Sequence, residues 1–99
     1  MTSKPMVAVT ADFREFDVYH WHCVPQPYID AASQVADIIP IILPALGERL
    51  DPDDVLDRID GVLVTGAKSN VHPSHYGEDE TADHEPYDHA RDATTLPLI

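Results

Sequence analysis

Two short stretches of the sequence hold residue types that could do chemistry. Residues 62–77 read Val-Leu-Val-Thr-Gly-Ala-Lys-Ser-Asn-Val-His-Pro-Ser-His-Tyr-Gly, an apolar run followed at once by small and polar residues. A short apolar run of this kind is typical of a buried strand, and ligands of parallel α/β sheets bind beyond the carboxyl ends of the strands. The second stretch, His20-Trp21-His22-Cys23, combines imidazole and thiol groups, which are ligands for zinc.

The histidine-rich stretch leaves two interpretations open. In an extended segment His20 and His22 point to one side and Cys23 to the other, and no Cys-x-x-Cys or His-Glu-x-x-His spacing is present. A solvated loop is therefore favoured over a metal site, and no cofactor is expected. Cys23 could also be a nucleophile, but no histidine is paired with it by spacing, which favours an incidental thiol.

Composition narrows the functional class. The 99 residues suffice for one small domain, and an apolar fraction of 43% predicts a folded core. The net charge of -12 argues against binding to nucleic acid or to an anionic membrane surface. A single cysteine, no signal peptide and no apolar run of membrane-spanning length predict a cytoplasmic protein.

The acidic residues between 78 and 92 could bind a cation or a basic partner, although a charged surface loop is favoured.

Apolar runs alternate with segments of helical periodicity along the chain. This order is typical of an α/β fold with a parallel sheet. Strands are predicted at residues 6–10, 39–43 and 62–65, helices at 28–38, 51–59 and from about 88 onward, and long loops at 11–26 and 66–87.

The loop after the third predicted strand resembles a known motif. Its residues Thr65-Gly66-Ala67-Lys68-Ser69-Asn70-Val71-His72-Pro73-Ser74-His75-Tyr76-Gly77 are similar to Gly-Gly/Ser-x-Ser-Asn-Val-x-Pro-x-x-Tyr-Gly of the γ-glutamyl-γ-aminobutyrate hydrolases. These are class I glutamine amidotransferase-like enzymes, also grouped as cysteine peptidases. Four further segments match in order: residues 4–10, 28–31 with 39–44, 56–66, and Arg91-Asp92. The resemblance implies the N-terminal portion, residues 1–99, of a three-layer α/β/α, flavodoxin-like domain with a parallel sheet.

The resemblance also implies an activity and roles for four residues. The family hydrolyses a small γ-glutamyl amide through a thioester, using a Cys-His-Glu triad, and acts in putrescine degradation. By position, the backbone amides of Gly66 and Ala67 would receive the oxyanion. Ser69 and Asn70 would line the substrate side of the pocket.

Several features depart from the family pattern. The nucleophile lies in a Gly-Ile-Cys-Arg-Gly-like elbow that these 99 residues do not contain, so the chain alone is expected to be inactive. Ala67 replaces Gly or Ser, and Asp37-Ile38 replaces the Gly-Gly that commonly ends the first helix. The strand at 62–65 would form an uncovered sheet edge, which predicts a homo-oligomer. A truncated, non-catalytic binding or interaction protein is the alternative.

Overall fold

A three-stranded parallel sheet and a separate β-hairpin organise the molecule. The computed structural model describes residues 3–66, 71–77 and 85–99. The strands are β1 (Met6–Thr10), β2 (Asp12–Phe16), β3 (Tyr19–Cys23), β4 (Ile39–Leu43) and β5 (Gly61–Leu63). The α-helices are α1 (Gln26–Asp30), α2 (Pro52–Leu56) and α3 (His89–Thr95); a π-helical segment spans Ala31–Val35, and 3₁₀ turns span Gly47–Arg49, Pro73–Tyr76 and Leu96–Leu98.

The sheet has the strand order β4-β1-β5, with every pair parallel. Ala8 faces Ile41 on one side and Val62 on the other, which makes β1 the central strand. Its residues Ala8, Val9 and Thr10 are buried, as expected for an apolar run with sheet on both sides. The predicted α/β class is therefore confirmed, and β1 and β4 have their predicted bounds. The third strand begins at Gly61 rather than at Val62 and is shorter than predicted.

The prediction of a long loop over residues 11–26 is wrong. Strands β2 and β3 form an antiparallel hairpin in which Asp12 pairs with Cys23 and Phe16 pairs with Tyr19. The two-residue turn is Asp17-Val18, with φ of 49° and 66°. Positive φ at both positions is typical of the hairpin turn that asparagine and glycine favour. Because this turn contains neither residue, the sequence lacks the usual hairpin signal.

One face of the hairpin is held on the body of the protein by a histidine. The Nδ1 atom of His22 accepts a hydrogen bond of 2.9 Å from the amide of Ala45, just beyond β4. On the same face the ring of Phe13 stacks on His20 with a centroid distance of 5.1 Å. The opposite face carries Tyr19 and Trp21, which remain exposed and contact each other edge to face.

The first helical region runs from Gln26 to Val35 and is shorter at its end than the predicted 28–38. It widens into a π-helical turn, and the amide of Ala36 bonds to the carbonyl of Ala31. Asp37 then takes φ of 55°, and the amide of Ile38 bonds to the Ala32 carbonyl. A left-handed residue after the helix is normally glycine, so Asp37 itself closes the turn that the Gly-Gly pair closes elsewhere.

The other two helices begin where the sequence predicts. Asp51 caps α2 by accepting from the amide of Asp53 at 2.9 Å, although this helix ends at Leu56 and not at residue 59. Asp88 caps α3 by accepting from the amide of Arg91 at 3.0 Å. Helix α3 packs against β1 and β2. The helices in the described part of the chain are too short or too polar to cross a membrane.

Candidate functional site

Two threonines join the carboxyl ends of the central strand and the strand beside it. The amide of Thr65 donates to Oγ1 of Thr10 at 3.1 Å, and Oγ1 of Thr65 donates to the carbonyl of Thr10 at 2.9 Å. Both residues are almost completely buried. These bonds extend the contact between β1 and β5 past the last ladder pair, so the loop after β5 starts from a fixed point.

The peptide unit between Thr65 and Gly66 is held at both ends by side chains. Nη2 of Arg91 in α3 donates a hydrogen bond to the carbonyl of Thr65. The amide of Gly66 donates to the hydroxyl of Tyr28 in α1 at 2.9 Å, and that hydroxyl lies 3.4 Å from the Gly66 carbonyl oxygen. The carbonyl of residue 65 and the N–H of residue 66 belong to one planar group. Its orientation is therefore set by one residue from each of two helices.

The Tyr28 hydroxyl leaves no room for a β-carbon at position 66, which explains the glycine there. A β-carbon built there would lie 2.8 Å from the Tyr28 hydroxyl, closer than carbon and oxygen normally approach. The glycine therefore permits the tyrosine to reach the backbone amide. Of the two predicted oxyanion donors, Gly66 is placed at this strand end with its N–H directed at an oxygen atom. Ala67, Ser69 and Asn70 lie outside the described residues, and their predicted roles stay predictions.

Arg91 is buried and is paired with a buried acid. Its Nε lies 3.0 Å from Oδ1 of Asp12, the first residue of the hairpin, with both side chains 9% exposed. The contact is one of close charges and not an aligned hydrogen bond. Burial raises the pKa of Asp12, and the Arg91 guanidinium opposes this by lowering it. Asp88 adds its negative charge to the upward effect on the pKa of Asp12 and also accepts from the amide of Phe13 at 2.9 Å.

A second buried acid links the segment at His72 to α3. Oδ2 of Asp92, whose residue is 2% exposed, accepts from the amide of His72 at 2.9 Å. Nε2 of His75 lies 4.0 Å from the same oxygen. The turn Pro73–Tyr76, within the predicted loop 66–87, is thereby anchored on α3. Arg91 and Asp92 thus bind the backbone of Thr65 and of His72 from adjacent positions of one helix.

The histidine-rich stretch does not assemble a metal centre in the described parts of the chain. Residues 3–66, 71–77 and 85–99 contain no group of three or more histidine, cysteine, aspartate or glutamate side chains placed to hold a metal ion. His22 already accepts from Ala45, and His20 lies 3.5 Å from Glu15. Burial raises the pKa of the Cys23 thiol, which disfavours the thiolate that a nucleophile requires.

Sequence reasoning missed four residues of this site. The sequence places Tyr28 in a predicted helix and Thr10 in a predicted strand, but it assigns no role in the site to these residues or to Asp12 and Arg91. The contacts that define them link residues 26, 38 and 55 positions apart. No local spacing signals such contacts. The available signal was Asp88 as a helix-capping residue, which places Arg91 in the first turn of α3 but does not place its side chain.

The fold and this strand end define the class of protein. A parallel sheet with flanking helices, ending in a glycine-containing loop, is an α/β fold consistent with part of a class I glutamine amidotransferase-like domain. Residues 5–99 match the Peptidase C26 family, and the chain belongs to that family. A putative glutamine amidotransferase-like protein of Rickettsia prowazekii (strain Madrid E) is 28% identical over 99 residues, covering 90% of this chain. The chain spans 34% of the length of that relative.

Proposed function

We propose that this chain forms the oxyanion and substrate side of the active site of a γ-glutamyl hydrolase. Membership of the Peptidase C26 family supports a hydrolase of the glutamine amidotransferase-like type. In the proposed reaction a cysteine thiolate attacks the γ-glutamyl amide carbonyl, the amine leaves, and water hydrolyses the resulting thioester. The nucleophile and its histidine and glutamate are supplied by residues outside these 99.

The Thr65–Gly66 peptide is the single observation that carries this proposal. It lies at the carboxyl edge of the parallel sheet, where α/β enzymes bind their ligands. Its N–H already donates to an oxygen at 2.9 Å, within the range needed to receive the oxyanion of a tetrahedral intermediate. Because the buried Arg91 holds its carbonyl and the half-buried Tyr28 holds its N–H, the donor is oriented before substrate arrives. In the reacting complex the Tyr28 hydroxyl is replaced on the Gly66 amide by the substrate oxygen.

The γ-glutamyl specificity is supported by the loop motif. Ser69-Asn70-Val71 and Pro73 with Tyr76-Gly77 match the motif of γ-glutamyl-γ-aminobutyrate hydrolases position by position. The turn Pro73–Tyr76 that follows is fixed on the buried carboxylate of Asp92. We propose that the amide and hydroxyl groups of Asn70 and Ser69 bind the glutamyl part of the substrate, since both side chains can donate and accept hydrogen bonds.

The test begins with the coding DNA downstream of the codon for Ile99. An in-frame Gly-x-Cys-x-Gly elbow, followed by a histidine and a glutamate, is expected. The complete polypeptide is then incubated with γ-glutamyl-γ-aminobutyrate, and released γ-aminobutyrate is quantified. Release that is lost in the variant with the elbow cysteine changed to alanine supports the proposal.

The isolated 99-residue chain is the negative control, since it is expected to release nothing. If the complete polypeptide with an intact elbow also releases nothing, the proposal is wrong. If the reading frame stops without an elbow, mixing the chain with a separate elbow-bearing polypeptide distinguishes a split enzyme, which regains hydrolysis, from a non-catalytic binding protein.

A further inference from the structure

Arg91 is the one buried cation of the described site, and its guanidinium contacts two different elements. Nε faces the carboxylate of Asp12 at 3.0 Å, and Nη2 donates to the carbonyl of Thr65. Arg91 is 7% exposed, so both contacts are shielded from water. Burying a guanidinium is costly unless an opposite charge lies beside it, and Asp12 supplies that charge. The nitrogen atoms of the fork are rigidly related, so holding the guanidinium beside Asp12 also restricts the positions that Nη2 can take.

The Thr65 carbonyl and the Gly66 N–H are opposite ends of one trans peptide unit. A donor fixed on the carbonyl oxygen therefore restricts rotation of the whole plane, including the N–H vector. Hydrogen bonding at the carbonyl also polarises the peptide and makes its N–H a stronger donor, by roughly 10–30% per bond. Tyr28 contacts the N–H end at 2.9 Å, which shows where this vector points.

We infer that Arg91 is a positioning residue that aims the Gly66 N–H at the developing oxyanion, with Asp12 holding its guanidinium in place. This inference rests on the proposed function and assigns residues that act through the peptide and do not touch the substrate. The threonine pair at positions 10 and 65 fixes the strand end, but it leaves the next peptide plane free to rotate. Arg91 holds the carbonyl end of that plane, and Tyr28 holds its N–H end until the substrate oxygen takes its place.

Lysine is the decisive substitution at this position. A single ammonium group cannot face the Asp12 carboxylate and donate to the Thr65 carbonyl with the geometry of the fork. Loss of one oxyanion donor lowers kcat by about 10²–10³-fold, so partial misorientation is expected to lower it by roughly 10–100-fold. KM should change less than about threefold, because the donor binds the transition state and not the ground state.

The experiment uses the complete polypeptide and compares wild type, Arg91→Lys and Asp12→Asn. Hydrolysis of γ-glutamyl-γ-aminobutyrate gives kcat and KM, and nuclear magnetic resonance gives the shifts of the Thr65 carbonyl carbon and the Gly66 amide. Arg58→Lys is the matched control, since the Arg58 side chain is 73% exposed and pairs with Asp54 at the surface. Guanidinium ion added at non-denaturing concentration to Arg91→Ala should restore part of kcat.

The inference is supported when Arg91→Lys shifts both Thr65–Gly66 resonances and lowers kcat with little change in KM, while Arg58→Lys alters neither. It is overturned when the wild type is active and Arg91→Lys retains full kcat, an outcome that leaves the proposed function intact. Unchanged Thr65–Gly66 resonances in a folded Arg91→Lys protein also overturn it. If the wild type itself does not hydrolyse the substrate, the proposed function is wrong and the inference fails with it.

Discussion

The hydroxyl of Tyr28 lies 2.9 Å from the amide nitrogen of Gly66, which is 38 residues away along the chain. A side chain at position 66 would collide with that hydroxyl. The pair therefore links the first helix to the loop after β5 through a contact that requires both a tyrosine and a glycine. It also places an oxygen where the proposed oxyanion binds.

Mutating either residue should break the hydrogen bond from the Gly66 amide to the Tyr28 hydroxyl. Tyr28→Phe removes the hydroxyl, and Gly66→Ala pushes it away with its β-carbon. Tyr28→Phe and Gly66→Ala are each expected to lower the free energy of unfolding by about 1 kcal/mol, the usual contribution of such a bond. The double variant should cost much less than the sum, because phenylalanine lacks the oxygen with which alanine collides. Urea denaturation of the four proteins measures this coupling. Additivity of the two single effects would contradict the contact.

The turn of the hairpin should be improved by glycine. Val18 is a β-branched residue at φ of 66° and is 87% exposed, so it is strained and contributes little packing. Val18→Gly is expected to raise the free energy of unfolding by about 1 kcal/mol, since the left-handed conformation costs L-residues roughly 1–2 kcal/mol. The midpoint of urea unfolding reports the change.

Val35→Gly is the matched control for this substitution. Val35 is 84% exposed but lies in the helical segment Ala31–Val35, where glycine is destabilising. Val18→Gly is therefore expected to raise the free energy of unfolding, and Val35→Gly is expected to lower it. A loss of stability in Val18→Gly would show that the hairpin turn does not adopt the left-handed backbone.

The stability of the protein should depend on pH through Asp12. Its folded-state pKa is raised, mainly by burial, so the native state holds the proton more tightly than the unfolded state. Relative to Asp12→Asn, the wild type is expected to be most stable below about pH 4, the ordinary range of aspartate. That advantage should be lost as pH rises through the raised pKa. Urea unfolding of both proteins across pH 3.5–7 measures the difference, and an advantage that grows with pH would mean that the Arg91 charge outweighs burial.

We propose that the 99-residue chain self-associates through the edge of its sheet. In the described part of the chain β5 pairs with β1 only, and Val64 beyond it is 46% exposed. An apolar edge strand of this kind pairs readily with another chain. Sedimentation velocity should show oligomers that Val64→Lys converts to monomers, whereas Val35→Lys, on an exposed helical surface, should change nothing. A monomer at all concentrations would refute edge pairing.

The sequence predicts best where structure depends on neighbouring residues. Strands β1 and β4 are short apolar runs that follow or contain proline, and their bounds match the prediction. The hairpin escaped prediction because Asp17 and Val18 adopt a backbone that their residue types do not signal. After the first helical region, Asp37 likewise adopts a left-handed backbone that is normally taken by glycine, so its residue type does not signal the turn.

The residues of the candidate site also fall into two groups, those that a local sequence pattern predicts and those that only tertiary packing brings together. The position of Gly66 just beyond β5 could be predicted because it belongs to a motif that is continuous in sequence, and its role as an oxyanion donor stays a prediction. Tyr28 and Arg91 could not, because their roles depend on how two helices pack around one peptide. Contacts of that kind arise from tertiary packing and leave no spacing in the sequence.

The relative rates for two isomers of one substrate show whether the Gly66 amide receives the oxyanion of a γ-glutamyl amide. The complete polypeptide is assayed with γ-glutamyl-γ-aminobutyrate and with α-glutamyl-γ-aminobutyrate, which differ only in the carboxyl group that is joined to the amine. We expect a kcat/KM at least about 100-fold higher for the γ-isomer, because a misplaced carbonyl misses the oxyanion donor at Gly66. Equal values for the two isomers, or hydrolysis of the α-isomer alone, would contradict it.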